Sequence, residues 1–494
     1  MKSNILTYQK FQSLQKRGFS TIPVYKKVLG DMLTPISAWV SLYDKSNYAF
    51  LFESVEKGSR FSRYSYIGIN PKKIIKSINS KTFISKNGDF FETNKPFLKV
   101  LNDLQKNFAS ANLISLPPFT GGLVGYLGYE TIAWFEDIPV YKSDDDSVPD
   151  ALFMLFNELI AFDHYEGTVV IISNYTARSE KNSLDHYNDC LSTIDEIGEL
   201  LHSRVDYETL TEKSNYKLTS NFSKNNFKNA VKKAKRHIVN GDVFQLVLSQ
   251  KFQKKTTAAP STIYRALRKV NPSPYLFHIK ICDFDVIGSS PELLVKVEGE
   301  KIEIRPIAGT RARGNSTKED KFLANDLLSD KKELAEHLML VDLARNDVGK
   351  VSEYGSVKLT EKMVVEYFSH VMHIVSNVEG KLKNDKKAFD ALKSGFPAGT
   401  VCGAPKLRAM ELIHDLETER RGIYSGAIGF FDFRGNINSC IAIRTMVIKD
   451  DIAQFQSGAG IVYDSVPEDE YNETINKAKA LVKAIELAEN GLVI

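Results

Sequence analysis

Short apolar segments with a period of two, set apart by glycines, dominate the first part of the chain: AFLFES from Ala49, YSYIGI from Tyr64 and TVVIIS from Thr168, with GGLVGYLGYE from Gly121. That period belongs to strands with one face buried. No regular alternation of strand with helix accompanies it, so a doubly wound parallel sheet and a (β/α)8 barrel are both disfavoured. The pattern predicts an α+β fold: a two-part chain built on antiparallel β-sheets flanked by helices. Later segments mix the two periods. Around Phe227, Val231 and Ile238 the spacing is helical with a stop at Gly241, and VFQLVLSQKF from Val243 reads as a strand.

Two polar stretches read as connectors, Asp137 to Asp150 and the run from about Ser203 to Asn226, of which the second is the better boundary. It divides the chain into 1–215 and 216–494. With 43% apolar and 26% charged residues the 494-residue chain has the composition of an ordinary globular protein. A formal charge of +4 makes no basic stripe, and the clusters Lys232-Lys233-Lys235-Arg236 and Arg420-Arg421 are short, so nucleic acid is not an expected partner. The four cysteines, Cys190, Cys282, Cys402 and Cys440, form no CxxC pair, which predicts a reducing compartment. ALFMLFNELIAF is interrupted at Asn157 and Glu158 and is too short to span a bilayer, and the first twenty residues lack an apolar core. No membrane association is expected, and the expected address is the cytoplasm.

Several side chains could carry chemistry. Asp330 followed by Glu333 is a capping-box pattern that predicts a helix, with Leu334, Leu338 and Val341 on one face and Met339, Leu340 and Leu343 on the other. Glu336 falls within the second apolar face, where it needs either a salt-bridge partner or a metal. A second helix near Ser465 to Glu468 puts Tyr471, Ile475, Ala478 and Val482 on its core face; Glu473 and Lys477, on the other side, read as an exposed i,i+4 pair. IAIRTMV predicts a strand with Arg444 between Ala442 and Met446, an arginine placed either in a core or at an anion. HVMHIVS predicts a strand with His373, read first as a core histidine. FPAGTVCGAPK lacks the glycine spacing of a phosphate loop, and QSGAGIV reads as a turn or as backbone open to a carboxylate.

Taken in order, PELLV (Pro291), IRPIAGTRARG (Ile304), KELAEHLMLVDLARNDVG (Lys332), FPAGTVCGAPK (Phe396), RGIYSGAIGF (Arg421), IAIRT (Ile441), QSGAGIV and the Glu473 helix resemble the chorismate-utilising enzymes. The likeness is greatest to the anthranilate-forming branch. It covers nearly the whole chain, GGLVGYLGYE resembling the family's N-terminal domain. It implies that Glu336 and Glu473 bind Mg²⁺, which suits hard oxygen ligands. It further implies substrate contacts from Gly309 and Thr310 near the ring, from Tyr424 and Arg444 at the enolpyruvyl carboxylate, and from the backbone of Gly458, Ala459 and Gly460, with Lys477 close by. The implied reaction is addition of ammonia to chorismate with loss of the ring hydroxyl, then elimination of pyruvate to leave anthranilate. Glu292 matches the general acid of the first step and His373 a histidine of the second.

Two substitutions separate the branches. Aminodeoxychorismate synthases, the alternative reading, resemble this chain but carry a nucleophilic lysine where it has Ala308. Isochorismate and salicylate synthases place a water-activating lysine where it has Gln245. Cys402 stands where the family has Ser or Thr. The 494 residues contain no cysteine in a nucleophile elbow, so the resemblance implies a separate glutamine amidotransferase subunit when glutamine is the nitrogen donor. It also implies a tryptophan feedback site at Ser54, Pro274, Tyr275 and Leu276, with Phe52 in place of a leucine. A tryptophan-binding chain without catalysis is the remaining rival, and Glu292, Glu336, His373 and Glu473 together argue against it.

Overall fold

The computed structural model describes residues 4–54, 63–106, 108–141, 148–176, 182–201, 216–368 and 371–493. Within them the chain builds two antiparallel sheets of twelve strands each, flanked by helices. One sheet runs from Thr21–Leu29 through Tyr48–Glu53, Tyr275–Ile281, Phe284–Ser290, Thr445–Lys449 and Ile452–Ile461 to Gln245–Lys255. The other runs from Ile307–Ala312 through Val371–Lys381, Leu293–Glu298, Ile437–Ile441, Ala427–Asp432 and Gly122–Leu127 to Asp89–Thr93. The α+β expectation holds. No helix among the described residues is long and apolar enough to cross a membrane.

Both sheets take strands from both sides of residue 215. Tyr48–Glu53 pairs with Tyr275–Ile281, Phe277 opposite Phe52, and Gly122–Leu127 pairs with Ala427–Asp432. The buried apolar clusters do the same, joining Phe50 to Ile279 in one and Leu123 to Leu294 in the other. Burying apolar side chains between strands far apart in sequence drives this arrangement.

Strands that switch sheets make the corners of such packings. Asn157 is one: ALFMLFNELIAF is two strands, Ala151–Phe156 in one sheet and Glu158–Asp163 in the other. Two further crossings lie side by side. Pro291 and Glu292 separate Phe284–Ser290 from Leu293–Glu298, and Ala442 to Arg444 separate Ile437–Ile441 from Thr445–Lys449. The single strand expected over IAIRTMV is therefore two strands in different sheets, and Arg444 takes the left-handed region at φ 51°. Ile441 N donates to Glu292 O at 3.1 Å and Ser289 N to Arg444 O at 3.1 Å, which fastens the crossings together.

Three other local expectations change. QSGAGIV is not a turn: all but its last residue, Val462, lies within Ile452–Ile461 and pairs with Gln245–Lys255, Gly458 opposite Ser249 and Gly460 opposite Val247. The helix Lys331–Val351 begins at the Asp330 cap, whose carboxylate accepts from Lys332 N and Glu333 N. It buries one stripe, His337, Leu340, Val341, Ala344 and Val348, and leaves Leu338 exposed, because only one side meets the sheet. Third, His373 is not a core residue; Met372 and Ile374 beside it are the buried ones.

Candidate active site

The adjacent crossings bring the acid and the arginine to one place, and two helices cover it. Glu292 lies in the first crossing, beside the Thr400 hydroxyl and within electrostatic reach of Lys477. Burial pushes its carboxyl up to about 7, and those two neighbours pull it only part of the way back. The loop Gly399–Val401 that supplies Thr400 is held from below by a buried ion pair. Arg421 Nη1 donates to Val401 O at 2.7 Å and Nη2 to Val247 O at 2.8 Å, while Glu417 accepts from Arg421 Nη2 at 2.6 Å and from Ser249 N at 2.8 Å.

Arg444, Tyr424, Gly458, Glu473 and Lys477 form one cluster. Lys477 Nζ donates to Gly458 O at 2.9 Å and pairs with Glu473 Oε1 at 2.6 Å, and Arg444 Nη1 donates to Lys477 O. The i,i+4 pair read from the sequence is thus present on the helix Pro467–Glu489, but it faces a polar recess shared with Arg444, Asp469, Asn472 and Asn476. Burial pushes the Tyr424 hydroxyl up to about 12, so it stays a donor.

Gly309 occupies a bulge between Ala308 and Thr310 at φ +67°, a backbone that favours glycine. The bulge aims its carbonyl at His373 Nδ1, 2.9 Å away, with Thr310 Oγ1 at 3.1 Å. Phe368 meets the imidazole edge to face at 5.1 Å. Burial lowers the His373 pKa, and Arg444 acts on it in the same direction, which places the two within electrostatic range.

Glu336 projects from the helix Lys331–Val351 and accepts from Gln245 Nε2 at 3.3 Å. Burial raises its pKa, and the neighbouring Glu333 and Glu473 raise it further. Two carboxylates that repel each other across a recess, with hard oxygen donors, fit a divalent cation that keeps waters and takes a substrate oxygen. Among the described residues no group of three or more His, Cys, Asp or Glu side chains is placed to hold a metal by itself. Glu333, expected to close a capping box, faces Arg311 at 3.4 Å instead.

Ser54, Pro274, Tyr275 and Leu276 are brought together elsewhere, around a cavity of about 100 Å³ that also meets Glu53 and Phe430. Ser54 Oγ is buried there, with no hydrogen-bond partner among the described residues. Glu53, which the sequence reading passed over, sits behind it with Tyr264 Oη at 2.7 Å and Arg268 Nε at 3.2 Å. Also missed were Thr400, Glu417 and the anchoring role of Arg421. A buried Arg–Glu pair four residues apart is a readable helix-type spacing, but its targets, Val247 O and Val401 O, are set by the tertiary fold alone.

The sequence signature of the family described as chorismate binding enzyme matches residues 47–483. Anthranilate synthase component 1 of Acetivibrio thermocellus is 46% identical over 483 residues, covering 96% of this chain and 97% of that one. The corresponding protein of Aquifex aeolicus (strain VF5) is 44% identical over 480 residues, covering 96% of each. Among solved structures, anthranilate synthase component I from Streptococcus pneumoniae TIGR4 superposes with a TM-score of 0.76 at 39% identity, over 92% of this chain and 98% of that one. The menaquinone-specific isochorismate synthase from Escherichia coli, at 17% identity and TM-score 0.70 over 96% and 98% of the two chains, shares the fold. Glycine strand, paired crossings and carboxylate-lined recess sit within the matched span, and the chain belongs to the chorismate-binding enzymes.

Proposed function

We propose that this chain is the large subunit of an anthranilate synthase, converting chorismate and ammonia to anthranilate and pyruvate. The observation that carries the reading is Glu292, a carboxyl held up to about 7 by burial at the centre of the site. Hydroxide is a poor leaving group, and an acid that keeps its proton near neutrality is what its departure needs. Gln245, a neutral amide beside Glu336, cannot activate water as a lysine would, and Ala308 cannot act as a nucleophile; ammonia is left as the attacking group.

Tyr424 and Arg444 hold the enolpyruvyl carboxylate in this reading, with the strand through Gly458, Ala459 and Gly460 beside it. Lys477 keeps Gly458 O fixed. Gly309 and Thr310 lie along the ring, and His373, held by the Gly309 carbonyl and kept neutral by burial, moves the proton of the elimination step. Glu336 and Glu473 would hold Mg²⁺, which supplies charge stabilisation and alignment of the ring carboxylate. A glutamine amidotransferase subunit supplies ammonia, tryptophan binds at Ser54 and the Pro274 to Leu276 segment as inhibitor, and the setting is cytoplasmic. The domain division at 215/216 belongs to the same reading: residues 1–215 carry Ser54 of the inhibitor site, and 216–494 the catalytic groups.

Incubating the purified chain with chorismate, Mg²⁺ and ammonium tests the proposal. Anthranilate is the expected product; an aminodeoxychorismate or isochorismate product overturns it.

A further inference from the structure

A cavity of about 600 Å³ opens between the turn after Thr21–Leu29, the helix Pro260–Val270 and the end of the helix Pro467–Glu489. That is the size of a small-molecule site. None of its lining residues belongs to the proposed reaction or to the Ser54 cavity.

One side of the lining is basic. Arg265, Arg268 and Lys269 stand at positions i, i+3 and i+4 of Pro260–Val270, a helix whose other side buries Ile263 and Leu267. Like charges at that spacing repel one another. Asp163 is the one acidic side chain on the lining among the described residues, and it already accepts from Arg63 Nη2 at 2.7 Å and Nε at 3.0 Å. The buried Glu53, outside the lining, holds Arg268 with Oε2 3.2 Å from Nε, which fixes the guanidinium where it meets the cavity. Burial and Arg268 both lower the His164 pKa, so that imidazole adds no charge near neutrality.

The last turn of a helix favours cations on its own account, which suffices for Arg268 and Lys269 but not for Arg265 or for the rest of the lining. That remainder is apolar. Leu33, Ile36, Leu487 and Leu492 reach it half-buried, and their chain neighbours Met32 and Val493 are 91% and 70% exposed. Cations beside exposed apolar surface in one cavity suit a ligand with an anionic head and an apolar body.

We propose that this cavity binds a small phosphomonoester carrying an apolar ring or chain. The inference goes beyond the proposed function and does not depend on it. Three cations against one anion leave an excess of two on the lining, which matches a head group that carries close to two negative charges at neutrality. Guanidinium groups pair with phosphate oxygens through two parallel hydrogen bonds, and the leucines and isoleucine take the body out of water.

Calorimetric titration of the full chain with phenyl phosphate tests this, with inorganic phosphate as the probe of the head group alone. Phenyl phosphate is expected to bind at one site per chain, and inorganic phosphate about 10-fold or more weakly, because it buries no apolar surface. Arg265→Gln with Lys269→Gln, which spares Arg268 and its Glu53 partner, should lower phenyl phosphate affinity about 10-fold or more while the melting temperature stays near that of wild type. Heat that persists unchanged in the double variant would put the ligand elsewhere, as at Arg444, and overturns the proposal. Equal affinity for the two probes would leave only a non-specific basic surface and also overturns it, as does the absence of heat with phenyl phosphate. Turnover enters none of these readings, so the proposed function and this site stand or fall separately.

Discussion

The hydroxyl of Tyr424 stands so close to Gly458 that a β-carbon on the glycine would lie 2.8 Å from it, and 2.9 Å from Leu248 O. One of these neighbours is a fixed backbone atom, so the strain of an added methyl falls on the tyrosine. Gly458→Ala should displace Tyr424 and raise KM for chorismate about 10-fold, equivalent to about 1.4 kcal/mol, with a smaller change in kcat. Steady-state kinetics alongside circular dichroism checks this, and an unchanged KM would contradict the placement of substrate against this strand.

Glu292 should govern the pH dependence. Its pKa is raised to about 7 by burial, so the acid form declines as pH rises through 7, and turnover normalised to free ammonia should decline with it. Glu292→Gln should cost about 100-fold or more. Stability moves in the same window. The folded state holds the proton more tightly than the unfolded one, so stability is full below about 4.5 and is lost as pH rises to about 7. The Gln variant should therefore melt on the order of a few °C above wild type at pH 8 and together with it at pH 4. Parallel melting curves at both pH values would refute the assignment.

Gln245 donates to Glu336 Oε1, and its amide packs against Gly460. Removing the donor in Gln245→Leu should free the carboxylate and weaken Mg²⁺ binding by about 10-fold, the lower end of what supporting contacts to metal ligands contribute. Titration of Mg²⁺ by calorimetry reads this apart from turnover. Equal affinity in the variant would show that the amide does not orient Glu336.

Tyr275, which lines the Ser54 cavity, pairs with Ser290, two residues before Glu292, so a pair of neighbouring strands connects the cavity to the acid. Tryptophan in that cavity should weaken chorismate binding by about 5–150-fold, and chorismate should weaken tryptophan binding by the same factor. Ser54→Phe should fill the cavity, abolish the heat of tryptophan binding and leave the uninhibited rate near wild type. Tryptophan affinity that is identical with and without chorismate would end the coupling argument.

Local pattern carried much of this structure. Period-two segments such as TVVIIS became strands, Asp330 became a helix cap, and the Gly241 stop ended Lys224–Val239, because each depends on residues a few positions apart. The family likeness named Glu292, Glu336, His373, Arg444 and Glu473 as one group; in the fold Arg444 and Glu473 line one recess, Glu336 lies within electrostatic reach of Glu473, His373 of Arg444, and Glu292 of Lys477.

The sequence by itself therefore determined the antiparallel strands, the helix starts and the residue types available for chemistry. Only the tertiary structure decided that IAIRT breaks between two sheets, that QSGAGIV lies inside a ladder and that Arg421 anchors the Thr400 loop. Those features arise from pairings between segments far apart in the chain: Gln245–Lys255 against Ile452–Ile461, and Phe284–Ser290 against Thr445–Lys449. Period and propensity are properties of neighbouring residues, whereas a sheet crossing is fixed by which distant strands a segment meets at each end.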